Sequence, residues 1–193
     1  PGSNRILGTI WLAKTVYLHL SEDGELQEFR IAKTVFHNQH RIDKKQAEAC
    51  RQGAGLADDH PELQQALNEL CRLAGCIRNP DAENPSPVAV EKMLETFIVT
   101  SANAVGQALA DAGLETSYRN QLEPNTSSFY GAEPEGHASL HSDAYVQWTS
   151  PIRRYADLDV HRVIDRLLED RPPTGLKRDI DQRMRTLQHE RAN

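Results

Sequence analysis

The sequence contains no apolar run near the length that a bilayer requires. Hydrophobic residues make up 38% of the 193 residues, but no apolar stretch approaches the roughly 20 residues of a membrane span. Residues 1–5 also lack the charged and apolar regions of a secretory signal. We therefore expect a soluble, cytoplasmic protein with no membrane partner, in which residues 1–193 form one globular domain.

Cysteine is scarce and odd in number. Cys71 and Cys76 form the only close pair, Cys50 lies apart, and no cluster of His or Cys surrounds them. We expect reduced, mostly buried thiols rather than a disulfide or a zinc site. The eight histidines are scattered along the chain, and we expect no metal ligand among them.

The chain also lacks an excess of positive charge. Its 22 Lys and Arg face 28 Asp and Glu, which gives a net charge of −6 and a pI near 5.8. Phosphate affinity comes largely from Lys and Arg that neutralise the nucleic-acid backbone, so this balance argues against a simple basic-surface binder. An RNA enzyme with this composition would have to concentrate its arginines in one cleft.

Alternating patterns and helical spacing indicate an α+β fold. A strand hairpin is predicted at about residues 5–36 around the turn Ser21-Glu22-Asp23-Gly24, and the remainder is helical. Helices are predicted at residues 44–51, 61–74, 90–113, 156–168 and from about 177 onward. Residues 122–136 carry Pro, Gly, Asn and Ser without periodicity and are typical of a surface loop.

The residues between 136 and 162 carry the chemistry. A strand-like run leads into the turn Thr149-Ser150-Pro151, which opens a helix headed by Arg153 and Arg154. Unpaired N–H groups at a helix start, together with planar guanidinium donors, suit an RNA phosphate.

Two interpretations of this segment remain open from the residues alone. In one, a ring among Tyr145, Trp148 and Tyr155 stacks on an RNA base beside the arginines. In the other, the aromatic rings fill the core while the arginines pair with nearby acids on an ordinary solvated helix. Those acids are Asp157, Asp159 and Asp165.

The segment resembles the signature of ribonuclease II, ribonuclease R and the eukaryotic exosome exonuclease. The resemblance rests on Tyr145, the run Thr149-Ser150-Pro151-Ile152-Arg153-Arg154-Tyr155, Asp157-Leu158 and His161-Arg162. Weaker similarity upstream involves Gly136-His137 and residues 95–109 and 24–41, in the same order along the chain. Together these matches cover most of the sequence.

The resemblance implies the C-terminal portion of an RNB-type catalytic domain, in which helices wrap a mixed, barrel-like sheet. It also implies hydrolysis of single-stranded RNA from the 3′ end to nucleoside 5′-monophosphates, with Mg²⁺. By position, Arg153 matches the family's arginine at the scissile phosphate and is the predicted catalytic residue. The predicted RNA contacts are Thr149, Ser150, Arg154, Tyr155, His137, Tyr145 and Arg162.

One departure from the family concerns its metal-binding motif. In the family an Asp-rich motif lies N-terminal to every segment matched here, and nothing in this sequence resembles it. Asp58-Asp59 is in a loop-like stretch, and Glu190 approaches the family's late active-site Glu without matching it. We therefore expect the Mg²⁺ ligands to come from a metal-bearing N-terminal half of the same domain, and this chain alone not to hydrolyse RNA.

Two other classes of function stay open. The chain could be a degenerate, non-catalytic module that binds RNA or a partner through its arginine segment. It could also be a helical interaction domain whose acidic surface docks a basic protein, with the signature a coincidence. The residues encoded upstream of Pro1 would distinguish these readings from the enzyme.

Overall fold

A computed structural model describes residues 10–38 and 40–169. It divides into two compact units, residues 1–98 and residues 99–193, which are described separately below. The predicted strand residues before 10, the helix predicted from about 177 and Glu190 lie outside the described residues. None of the described helices is long and apolar enough to cross a membrane. The single domain inferred from composition stays a prediction.

The first unit begins with the predicted hairpin. Strand β1 (Ile10–Leu20) pairs antiparallel with β2 (Leu26–His37), in a register that places Ile10 opposite His37. The register shifts near the tip, between His19 and Leu20. Gly24 has a φ of 82° in the connecting turn, a conformation that side chains with a Cβ rarely adopt, so the predicted turn chemistry is confirmed.

Two helices complete the first unit together with the start of a third. Helix α1 (Lys44–Arg51) begins with a capping box between Asp43 and Gln46, and α2 (Pro61–Arg78) has Pro at its first position. A 3₁₀ turn (Gly55–Ala57) lies between them. Buried apolar residues of these helices form one core: Ala47, Cys50, Ala57, Leu67, Cys71, Ala74, Val90 and Met93.

Helix α3 (Val90–Asp111) contains the boundary between the units, and its second half belongs to the second unit. There, β3 (Tyr118–Asn120) pairs antiparallel with β4 (Phe129–Gly131). A 3₁₀ turn (Ala138–Leu140) and helix α4 (Tyr155–Leu168) follow. The α+β prediction is confirmed. Both sheets among the described residues have two strands, so the barrel-like sheet stays a prediction.

Two expectations for the second unit were wrong in detail. The presumed loop at residues 122–136 contains β4, and the presumed strand-like run before Thr149 contains the 3₁₀ turn. Side-chain hydrogen bonds replace regular strand pairing in this stretch. The Asn120 amide, for example, donates to the Glu133 carbonyl at 3.0 Å and accepts the Glu135 N–H at 3.0 Å. Such bonds leave no periodic pattern in the sequence.

The second unit packs its irregular segment tightly against α3. A Cβ placed on Gly106 would lie 2.2 Å from the carbonyl oxygen of Ala144, so only glycine allows this approach. Tyr118 is fully buried, and its hydroxyl donates to the Leu114 carbonyl at 3.0 Å. The chain that leads into Thr149 is therefore held on a rigid base.

Candidate functional site

The turn before α4 is closed by backbone hydrogen bonds. The N–H groups of Arg153 and Arg154 donate to the Ser150 carbonyl at 3.2 and 3.1 Å. Helix α4 begins at Tyr155, with Arg154 as its N-cap. The two arginines therefore lie in the turn that precedes the helix, beside the helix start as the sequence predicts.

Asp157 fixes this turn from inside the helix. Its carboxylate is fully buried, and Oδ2 accepts the Ser150 N–H and the Arg154 Nη2, each at 2.7 Å. Nε of Arg154 also lies 2.7 Å from Oδ1, but neither of these two atoms forms a hydrogen bond. This second contact is therefore an ion pair. Asp157 thus occupies much of the donor capacity of Arg154, as the alternative interpretation expected for that arginine.

Arg153 is in a different situation. Its side chain is exposed, and its Nη2 donates to the Ser150 hydroxyl at 3.3 Å. Within the part of the chain that the structure describes, no carboxylate forms an ion pair with Arg153. Most of its guanidinium donors consequently face solvent, where an anion can reach them.

Asp159, a second acid of α4, is also engaged within the protein. Oδ2 of buried Asp159 accepts hydrogen bonds from the Thr116 hydroxyl at 3.2 Å, the Ser117 hydroxyl at 2.8 Å and the Ser117 N–H at 3.1 Å. Asp159 therefore anchors the chain before β3. The alternative interpretation expected the arginines to pair with acids of the helix, and the structure shows one such pair, Arg154 with Asp157.

The remaining predicted polar contacts lie around the turn. Thr149 is exposed, and its hydroxyl accepts from Arg154 Nη2 at 3.4 Å, while Ser150 is half-buried. Arg162 is exposed on α4. Thr149, Ser150 and Arg153 are thus brought together on one turn.

Of the predicted aromatic contacts, Tyr145 is the most buried. Only 9% of its surface is exposed, and burial raises the pKa of its hydroxyl. The ring of His137 meets it edge-on with centroids 5.3 Å apart, and burial lowers the pKa of this histidine. Nδ1 of His137 is buried without a hydrogen-bond partner among the described residues. Tyr145 and His137 therefore line the base of the turn instead of offering open faces.

The half-buried rings of Trp148 and Tyr155 keep part of their surface accessible. Nε2 of His161 lies 2.8 Å from the Trp148 carbonyl oxygen, and the two rings are 5.9 Å apart. Tyr155 packs beside Ala156 together with Tyr130. Of the three aromatic residues that flank the turn, Trp148 and Tyr155 therefore have rings accessible enough to stack on an RNA base.

One cationic residue beside these rings was missed. The Arg119 guanidinium lies 4.6 Å from the centroid of the Tyr130 ring, and the backbone N–H of Arg119 donates to the Tyr145 carbonyl at 2.8 Å. The Tyr130 hydroxyl donates to Oε1 of Gln147 at 2.6 Å. Arg119 lies far from the signature in sequence, and no motif or periodicity marks it.

The described carboxylates do not fit a pair of magnesium ions. Asp157 and Asp159 are committed to the contacts above, and carboxylate oxygens are what Mg²⁺ requires. Among described residues, the one group of three potential ligand side chains is His40, His60 and Glu62, in the first unit. Its two imidazoles make it a poor magnesium site. No catalytic step through a metal follows from these residues.

Comparison with known proteins begins with sequence. Residues 114–170 match the family model of the RNB domain. Ribonuclease R of Chlamydia trachomatis is 22% identical, in an alignment covering 79% of this chain and 33% of that protein. The similarity is to the RNB domain of the ribonuclease II/R family. Ribonuclease R 1 of Lactococcus lactis is 45% identical over a shorter stretch, 45% of this chain and 10% of that protein. The chain thus spans about a third of its relatives' length, or less.

Solved structures show the same fold as this chain. The apo form of Mycoplasma genitalium RNase R superposes with a TM-score of 0.76 at 16% identity, covering 94% of this chain and 42% of that one. Yeast Ssd1, described as a pseudonuclease, gives a TM-score of 0.69 at 13% identity, covering 87% and 30%. The ribonuclease R fold therefore occurs both in a ribonuclease and in a pseudonuclease.

Proposed function

We propose that this chain is part of a cytoplasmic 3′-to-5′ exoribonuclease that hydrolyses single-stranded RNA to nucleoside 5′-monophosphates, with Arg153 at the scissile phosphate. The observation that carries the proposal is that two adjacent arginines differ in their contacts and exposure. Arg154 is held by the buried Asp157, whereas Arg153 projects into solvent from the same fixed turn.

Rigid support with free donors is what phosphate recognition requires. The guanidinium offers parallel N–H donors that match two phosphate oxygens, and it stays charged at any working pH. A donor positioned before the reaction stabilises the charge that grows on the scissile group without reorganising in the transition state. In Arg153 the preorganisation comes from the Ser150 hydroxyl and carbonyl, which bind its side chain and its backbone.

Further contacts would extend along the RNA from this turn. Thr149 and Arg162 are exposed and polar, and the accessible faces of Trp148 and Tyr155 suit base stacking. RNA binding by Tyr145, His137 and Arg154 stays a prediction, since these three residues are engaged within the protein. The RNase R of Mycoplasma genitalium has been solved in complex with a ribose-methylated single-stranded RNA, which supports the same class of ligand here.

The proposal assigns Mg²⁺ binding to a metal-bearing N-terminal half of the same domain. The hairpin supports such a partner because its apolar side chains are unusually open: Leu12 is 87% exposed and Val35 is 64% exposed. Phe36 at the end of β2 is exposed as well. Strand edges and apolar residues in this state are normally covered by another part of a domain.

A degenerate RNA-binding module is the second candidate. It is favoured by one specific observation, that the described residues contain no cluster of carboxylates suited to catalytic metal. The structural likeness to a pseudonuclease shows that the fold occurs without nuclease activity in another protein. The two candidates differ in what Arg153 does when a metal-bearing half is present.

The deciding experiment uses the natural full-length protein in which this chain is joined to its metal-bearing half. Arg153→Ala and Arg153→Lys are compared with Arg162→Ala, and single-turnover cleavage is measured separately from RNA affinity. Loss of one preorganised donor costs on the order of 100-fold or more in rate, while one phosphate contact among many weakens binding modestly. We expect slow cleavage with retained binding for both Arg153 variants, because lysine cannot reproduce the guanidinium fork.

Two outcomes would count against the assignment. If Arg153→Ala cleaves within a few-fold of wild type, or if Arg162→Ala is equally impaired, Arg153 is not at the scissile phosphate. If the wild-type full-length protein binds RNA and does not cleave it with Mg²⁺ present, the degenerate module is the correct reading. The isolated 193-residue chain is expected to release no mononucleotides in either case.

A further inference from the structure

Three side chains able to bind a metal lie together in the first unit. The ligand atoms of His40, His60 and Glu62 all lie within 4.8 Å of one another. The His40 and His60 rings meet edge to face with centroids 4.4 Å apart, and Nδ1 of His60 is 3.3 Å from Glu62 Oε1. These three residues come from two segments that are distant in sequence.

The backbone fixes two of the three ligands. His60 is the N-cap of α2, and Pro61 at the first helical position sets the direction in which Glu62 follows. The His60 N–H donates to the Leu56 carbonyl at 2.9 Å, and its carbonyl accepts the Leu63 N–H at 3.0 Å. His60 and Glu62 therefore occupy defined positions before any ligand binds.

The third ligand comes from the segment between β2 and α1. His40 is half-buried, and Asp43, three residues later, anchors the chain through the capping box of α1. The His40 ring is thus presented to the start of α2 from a short connection with a fixed end. A rotation of exposed or half-exposed side chains is all that is needed to bring the three donors closer.

We propose that His40, His60 and Glu62 bind a Zn²⁺ ion. Two imidazole nitrogens and one carboxylate oxygen form a donor set typical of zinc, whereas Mg²⁺ takes oxygen ligands in octahedral geometry. Zinc bonds of about 2.0–2.2 Å place tetrahedral ligand atoms roughly 3.3 Å apart, so spacings of up to 4.8 Å must shorten by at most about 1.5 Å. Water would complete the fourth position.

The ion would act as a clip within the first unit. It joins the end of the hairpin to the start of α2 and closes the loop that contains α1 and the 3₁₀ turn at Gly55–Ala57. Cross-linking such a loop stabilises the folded state because the ion binds the assembled ligands and not the separated ones. The proposal is independent of the proposed nuclease activity.

The test is calorimetric titration of the tag-free, reduced chain with Zn²⁺, and with Mg²⁺ as the contrasting probe. We expect one Zn²⁺ per chain and no displacement by equimolar Mg²⁺. His40→Ala, His60→Ala and Glu62→Gln should each weaken zinc affinity by about 10-fold or more, the loss that even outer-shell changes produce. His19→Ala, an exposed histidine of β1, is the matched control and should bind as wild type.

A second readout separates binding from folding. A fixed zinc concentration that saturates the wild type should raise the Tm of the wild type and of His19→Ala by several degrees, and it should raise the Tm of His40→Ala and Glu62→Gln by clearly less. The metal-free variants should melt near the metal-free wild type, because the cluster is largely at the surface. Failure of the wild type to bind stoichiometric zinc, or unchanged affinity in all three variants, would overturn the proposal. The proposal would also be overturned if alkylation of Cys50, Cys71 and Cys76 abolished zinc binding while the three substitutions did not, because the ligands would then be thiolates.

Discussion

The hairpin of the first unit and the segment from Leu114 to Leu168 differ in the polarity of the side chains that they bury and expose. The hairpin exposes Leu12, Tyr17, Val35 and Phe36. The later segment instead buries polar side chains, including Thr116, Ser117, Asn120, Asp157 and Asp159. Exposed apolar strands need a covering surface from elsewhere, whereas hydrogen bonds from buried polar groups hold an irregular chain in one conformation. The second arrangement is the one that can position a catalytic side chain.

Removing the charge of Asp157 should give the largest effect on this comparison. Asp157→Asn leaves the half-buried Arg154 guanidinium without its anionic partner and weakens the bond to the Ser150 N–H. Breaking a buried pair from one side costs about 3–5 kcal/mol, so the variant should lose stability on that scale. Urea denaturation measures the loss, and Asp143→Asn, at an exposed acid nearby, should change stability by less than about 0.5 kcal/mol.

An intermediate effect is expected at Asn120. Asn120→Ala removes the buried amide whose two hydrogen bonds hold the backbones of Glu133 and Glu135. The two lost hydrogen bonds together should cost about 1–3 kcal/mol. The measurement is again chemical denaturation, with exposed Gln107→Ala as the control. Equal stability of the two variants would mean that the buried polar network is not what fixes the segment.

The smallest effect is expected in the hairpin. Leu12→Ser removes an apolar side chain that is already almost fully in solvent, so the isolated chain should change by less than about 0.5 kcal/mol. In the full-length protein, where another segment is proposed to cover the hairpin, the same change should cost about 1.5–3 kcal/mol. Identical small losses in both proteins would show that nothing packs on Leu12, and the comparison with the buried polar segment would lose its meaning.

Much of the regular structure could be predicted from periodicity and end signals. The hairpin and helices α1, α3 and α4 lie within a few residues of their expected bounds. Helix α2 continues to Arg78, one turn past the predicted end, and Gly75 in this last turn lies close to the Ser86 carbonyl. β4 escaped prediction because its three residues are defined by pairing with β3, and the 3₁₀ turns are too short to leave a periodic pattern.

The sequence identified the segment that carries the site, but it did not predict which contacts each arginine makes. Arg153 and Arg154 stand four and three residues before Asp157, and both spacings allow a pair on a helix. Only the helix start at Tyr155 decides that Arg154 takes the carboxylate and Arg153 remains open. The grouping of His40 with His60 and Glu62 depends on the same kind of tertiary information, since the chain between them leaves no pattern.

The turn of the hairpin makes Cys76 a reporter thiol. Nη1 of Arg72 donates to the Glu22 carbonyl at 2.9 Å, and Sγ of Cys76 lies 4.0 Å from the same oxygen. The turn thus covers a cysteine that is 5% exposed, while Cys50 and Cys71 lie deeper in the helical core. Alkylation at Cys76 should therefore proceed at the frequency with which the turn lifts from α2. A labelling time course followed by mass spectrometry would measure the rate of that opening in the protein without any substitution.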